Sequence, residues 1–314
     1  MKIVNQGIMA LAVALLTTTA MAQPAPQGDE PRPFQAGTPL GTVNSAGEPV
    51  ELTDNVRVFG SFHFAESCTF DRDRNLIVAM NGGAPQNQVE NDGFVSLINP
   101  DGTVHTARWI GVTHDELTLN HPLGSAIANG VLYAADIDTI RTFDLASGEP
   151  LDAIEIPEAT LLNGIAVDGD GTIYVSNTSG LERVYKVTAD GAVSVLVEGA
   201  PLALPNGVAI DPDGNVVVVN IGDNSVLTFS PEGELLATEY AAEGGNDGIV
   251  ILEDGTKYVS SVVYGSISRI APGEEAEIIA AGIPSPASIC YDPVQNQLIA
   301  PMNNNNALAF ISLE

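Results

Sequence analysis

The segment Asn206-Gly-Val-Ala-Ile-Asp-Pro-Asp-Gly-Asn-Val-Val-Val-Val219 decides how this chain reads. Its opening recurs in register as Asn163-Gly-Ile-Ala-Val-Asp168 and Asp247-Gly-Ile-Val-Ile-Leu252, with looser copies Glu66-Ser-Cys-Thr-Phe-Asp71 and Ala287-Ser-Ile-Cys-Tyr-Asp292. Each phrase leads through a turn into an apolar run, as in Thr172-Ile-Tyr-Val-Ser176 and Lys257-Tyr-Val-Ser260. The copies begin about 40 residues apart, the period of a four-stranded propeller blade. One position, five residues before the turn acid, is polar in four of the copies: Glu66, Asn163, Asn206 and Asp247.

Within a unit the phrase is the first strand, Asp-Pro-Asp-Gly or Asp-Gly-Asp-Gly a tight turn, and the β-branched run the second strand. A third strand, a second tight turn such as Ser230-Pro-Glu-Gly233, and a fourth strand complete it. Six units can be drawn, the second being the least regular around Gly130-Val-Leu-Tyr-Ala-Ala135. Helical periodicity is absent and strand-and-turn rhythm dominates. The expected fold is all-β, a six-bladed β-propeller of four-stranded antiparallel blades, with residues 55–59 supplying the outer strand of the last blade.

Both tight turns of a blade then lie at one end of the ring, and the longer connections at the other. First strands are innermost, so the four polar residues emerge on the axis beside the longer loops. His63, Asn177, Asn220 and the Asn303 run are expected at that mouth. So are two insertions, residues 81–92 and 111–122, the second carrying His114 and His121. Long loops on a rigid scaffold are where function concentrates. The histidine spacings match no zinc motif, and no Gly-x-Ser-x-Gly elbow supports a serine nucleophile. His105, His114 and His121 read as surface or lid residues.

The rest of the chain bounds the setting. Residues 1–22 read as a signal peptide, with Lys2, an apolar core too short to span a bilayer, and Ala20-Met-Ala22 as cleavage site. Residues 23–45 read as a Pro/Gly-rich tether, and 46–314 as one propeller domain. The expected location is periplasmic or secreted. Eleven basic residues face 40 acidic ones, a formal net charge of −29, which repels nucleic acid and anionic lipid. No membrane insertion, a monomer and a small-molecule partner are expected. Cys68 and Cys290 fall in the first and last repeats, on opposite faces of their strands. Either a ring-closing disulfide or two buried thiols fits.

Two carboxylates and two carboxamides are hard oxygen donors, suited to a divalent cation. Calcium is the first expectation, with magnesium, manganese or zinc as alternatives. Asn-Gly and Asp-Gly are also turn dipeptides; it is the four copies in one register that point to a site. Glu66-Ser-x-x-Phe-Asp71, Asn163-Gly, Leu204-Pro-Asn206-Gly-Val-Ala and Asp247-Gly-Ile resemble the blade openings of the regucalcin and gluconolactonase family (the senescence marker protein type). The resemblance runs from about Val56 to the C-terminus. It implies lactone hydrolysis with one divalent cation in the central channel. Glu66, Asn206 and Asp247 would be metal ligands, Asn163 a substrate-binding residue, and Asp247 also the catalytic base that activates water. The family's sugar-lactone enzymes carry Arg two residues before the third-blade Asn; here Leu161 stands there, so a less polar lactone or ester fits equally. Two other readings are a non-catalytic propeller, binding a partner or glycan around a structural calcium, and a strictosidine-synthase-like propeller.

Overall fold

The computed structural model describes residues 41–83, 91–111 and 117–313. These form six four-stranded antiparallel sheets and one two-stranded hairpin. In the first five blades the strands run in chain order from the axis outward, as in Pro205–Ile210, Val216–Asn220, Ser225–Phe229 and Leu235–Tyr240. The expected all-β ring is the observed one.

The sequence explains the layering. Second and third strands, such as Val216–Asn220 and Ser225–Phe229, are buried along their whole length because each is covered by a blade on either side. Fourth strands, such as Leu235–Tyr240, are mostly exposed. Six apolar clusters fill the spaces between sheets, one of them joining Val175 and Tyr185 of the third blade to Ala135 and Ile140 of the second.

The last blade closes the ring. Val56–Gly60 pairs antiparallel with Ala307–Ser312, so the N-terminal side of the domain supplies the outer strand of the C-terminal blade. Cys68 and Cys290 form a disulfide joining the first and last blades, 222 residues apart in sequence. Among the described residues strand pairing starts at Gly41, inside the stretch read as tether. The hairpin Gly41–Val43/Pro49–Glu51 docks on the fifth blade, where Ser45 N donates to the buried Glu243 at 3.0 Å.

Candidate functional site

Five of the six inner strands carry the same irregularity. Pairing with the second strand shifts between Ala65 and Cys68, Pro122 and Ser125, Leu162 and Ile165, Pro205 and Val208, and Asn246 and Ile249. The two residues inside each shift are Glu66-Ser67, Leu123-Gly124, Asn163-Gly164, Asn206-Gly207 and Asp247-Gly248. Such a bulge releases a side chain from the ladder and re-aims it. Ala287-Ser288 holds the same place in the sixth blade, with Ser288 N donating to Glu66 O at 3.0 Å.

The glycines of these pairs lie in strands, not in turns, and their role is close approach. A Cβ on Gly124 would stand 1.9 Å from Asn163 O, one on Gly164 2.2 Å from Asn206 O, and one on Gly207 2.6 Å from Asp247 O. Each glycine thus lets its blade press against the backbone of the next polar residue. The result is a ring of Glu66, Leu123, Asn163, Asn206, Asp247 and Ala287 around the axis. Below it a neck of about 50 Å³ is lined by Ser67, Gly124, Gly164, Gly207 and Ser288. The neck opens toward the turn end into a cavity of about 780 Å³ lined by residues such as Phe70, Ile127, Val167 and Tyr291. The larger cavity is therefore at the far end of the channel from the polar ring.

The four expected site residues are all buried: Glu66 and Asp247 are 2% exposed, Asn163 4% and Asn206 1%. Asn206 Nδ2 lies 3.5 Å from Asp247 Oδ2, Ser288 Oγ donates to Asp247 Oδ1 at 3.3 Å, and Asn303 Nδ2 donates to Glu66 Oε2 at 2.8 Å. Burial pushes the Glu66 carboxyl up to about 7, against the opposing Asn303 hydrogen bond. Burial, reinforced by the Glu66 charge, pushes Asp247 well above the usual carboxylate range. Asn163 Oδ1 and Asn206 Oδ1 are buried without a hydrogen-bond partner, as are both polar atoms of the neighbouring Asn246. Buried polar atoms are nearly always satisfied; here the two carboxamide oxygens are not, and the two hydrogen-bonded carboxylates have no ion pair among the described residues. Among the described residues no three His, Cys, Asp or Glu side chains are grouped so that they could hold a metal ion together. The donor set is oxygen-rich and hard, which fits calcium or magnesium.

The other expected mouth residues divide. Asn303 contacts Glu66 as described. His63 is exposed on the loop before the first inner strand. His121 is buried; its Nδ1 lies 2.8 Å from Gly82 O, which puts the proton on that nitrogen, and its ring packs 5.2 Å from Phe64. His105 is exposed on the outer strand Val104–Gly111. His114 lies outside the described residues. Asn220 Oδ1 accepts from Ala203 N at 3.0 Å and its Nδ2 donates to Ser225 Oγ at 2.8 Å, so both its polar atoms are engaged within the protein. Asn177 and Asn81 do the same work in their blades, accepting from Leu161 N and His63 N at 3.0 Å each. These residues end second strands and hold the loop that leads to the inner strand. Ser288 was not singled out from the sequence. Its signal was there in the first and last copies, where Ser67 and Ser288 replace the glycine and bridge one another.

The chain matches no protein-family model and no curated protein sequence. By structure it is similar to a gluconolactonase from Xanthomonas campestris, with a TM-score of 0.62 and 17% identity over 88% of this chain and 95% of that one. It is also similar to a streptogramin B lyase, with a TM-score of 0.56 and 16% identity over 82% of this chain and 87% of the other. A catalytically inactive virginiamycin B lyase from Staphylococcus aureus with quinupristin gives 0.60 and 13%, over 84% and 100%. At these identities the likeness carries the fold alone, a β-propeller.

Proposed function

We propose that the protein hydrolyses a lactone or similar ester at the polar ring, with one divalent cation, calcium first, held by Glu66, Asn206 and Asp247. The observation that carries this reading is the joint burial of two raised carboxylates and two unpartnered carboxamide oxygens at one level of the channel. When bound, such a cation polarises a carbonyl and acidifies water. Opposite charge also restores both carboxylates to the ionised form that burial alone opposes.

The protein groups then have distinct tasks. Ionised Asp247 accepts a proton from water, oriented by Ser288 Oγ on its second oxygen. Glu66, held by Asn303, stays a spectator anion. Asn163 turns its carboxamide toward the substrate, and the Nδ2 of Asn206 lies beside Asp247. The narrow neck beneath the ring leaves the mouth as the route for substrate. Lactone-acting relatives of the same fold support the substrate class, and the disulfide supports an exported, oxidising location.

Protein stripped with chelator and reconstituted with calcium, magnesium, manganese or zinc tests the reading on a lactone and ester panel. Turnover that returns with cation and disappears in Asp247→Asn is expected. Turnover indifferent to both overturns the proposal. Thermal stabilisation by calcium with no turnover on any substrate leaves a binding module with a bracing ion.

A further inference from the structure

Two residues before each ring position the chain turns into the inner strand, and there it is left-handed in four blades: Phe64 (φ 52°), Leu204 (φ 55°), Gly245 (φ 74°) and Ser285 (φ 45°). Glycine adopts this conformation freely, whereas a bulky side chain is strained in it. The fifth blade uses glycine. Ser285 uses its side chain, since its Oγ meets Asn304 N and Asn305 Oδ1. Leu204 is held through its backbone, its N donating to Glu182 Oε1 and its O accepting from Ile221 N at 3.0 Å each, but its side chain has no such account: it is 41% exposed and belongs to no apolar cluster. One further apolar residue is left-handed, Ile137 (φ 61°), in the loop between the second and third strands of the second blade. Its carbonyl accepts from Leu162 N at 2.7 Å, so it too stands at the mouth. At the opposite end, the left-handed positions of the tight turns are filled by Asn75, Asn129, Asn296 and glycines, which tolerate them. Strain borne by large apolar side chains is thus confined to the end where the polar ring opens. Strained residues that burial does not explain collect at ligand sites.

We infer that Phe64, Ile137 and Leu204 form an apolar collar that selects substrates carrying an alkyl chain. The carbonyl end descends to the polar ring and the chain lies against the collar. This inference rests on the hydrolase reading for its carbonyl end and on the collar alone for its chain preference.

The test uses calcium-loaded protein with δ-lactones bearing alkyl chains of zero to six carbons, and the matching δ-lactams as non-hydrolysed probes in calorimetry. Lactam affinity and lactone kcat/KM should rise about two- to fourfold per methylene. Leu204→Gly should reduce the preference for the longest over the shortest chain about five- to tenfold. Its thermal midpoint should be equal to wild type or up to about 3 °C higher, because the strain is relieved. Chain-dependent lactam binding without turnover of any lactone removes the hydrolase reading and keeps the collar. Turnover or binding indifferent to chain length in wild type overturns the collar. So does a Leu204→Gly midpoint several degrees lower, which would make the leucine structural.

Discussion

A carboxylate enclosed by protein prefers its proton, and a second one alongside strengthens that preference. Glu66 and Asp247 stand in that relation, and the consequence is a stability that depends on pH with an unusual sign. The Glu66 carboxyl shifts from an ordinary 4.5 to about 7 on folding, so between those values the cation-free folded state binds more protons than the unfolded one. The stabilisation is complete below about pH 4.5 and is lost as pH rises through about 7, on the order of 3 kcal/mol. The turn residues Asp101, Asp144, Asp190 and Asp254 are held below the usual carboxylate range by hydrogen bonds with neighbouring Thr or Ser, so they titrate at lower pH. Urea unfolding in chelator from pH 4.5 to 8 should show stability falling, and saturating calcium should flatten the trend. A rise across that window would contradict the pair's arrangement. Asp247→Asn follows from the same physics: the cation-free protein gains about 1–3 kcal/mol at pH 8, calcium loses its stabilising effect, and turnover falls about 10²- to 10⁴-fold. Paired calorimetry and kinetics on one preparation check all three.

At the level of the strand, the glycine that follows four of the six ring residues is a packing device between blades. A methyl on Gly164 would meet three backbone atoms of the next inner strand, the nearest at 2.2 Å. Backbone on that side cannot yield as a flexible side chain would, so Gly164→Ala should cost about 3 kcal/mol or more. Gly169, in the turn after the same strand, has nothing within 4 Å of its absent Cβ. Gly169→Ala should stay within about 0.5 kcal/mol of wild type, and equal losses for the two variants in urea unfolding would refute the packing account. The repeat register was legible because turn punctuation and β-branched runs mark every strand, and in that register Glu66, Asn163, Asn206 and Asp247 share the bulge position of their inner strands. What Asn220 binds was not legible, because a carboxamide bound to backbone and one facing a ligand look alike in sequence. Its partners, Ala203 N and Ser225 Oγ, are set by the loop's path and not by any local motif. Nor does anything in Phe64 or Leu204 announce a left-handed backbone, since neither residue type favours it.

For the molecule as a whole, a ring must be held shut where its first and last blades meet, and here two clasps act at different radii. The outer clasp is the pairing of Val56–Gly60 with Ala307–Ser312. The inner one is the Cys68–Cys290 bond, whose halves both line the channel. Opposite facing of the two cysteines left bond and thiols equally open in the sequence, because only ring closure fixes their approach to a Cα–Cα distance of 5.5 Å. Cross-linking so long a loop restricts the unfolded chain, and its loss should lower stability by about 2–5 kcal/mol. The outer clasp remains, so Cys68→Ser/Cys290→Ser should still fold. Its effect should reach the site as well. Glu66 precedes Cys68 by two residues and Ser288, which donates to Asp247, precedes Cys290 by two. The bond therefore fixes the seam across which Glu66 and Ser288 face one another. Calorimetry on the folded double variant should show calcium affinity reduced about three- to tenfold, with chain-length selectivity unaltered because the collar lies on the loops above. Unchanged calcium affinity beside a lowered unfolding midpoint would confine the bond to stability and detach ring closure from the polar ring.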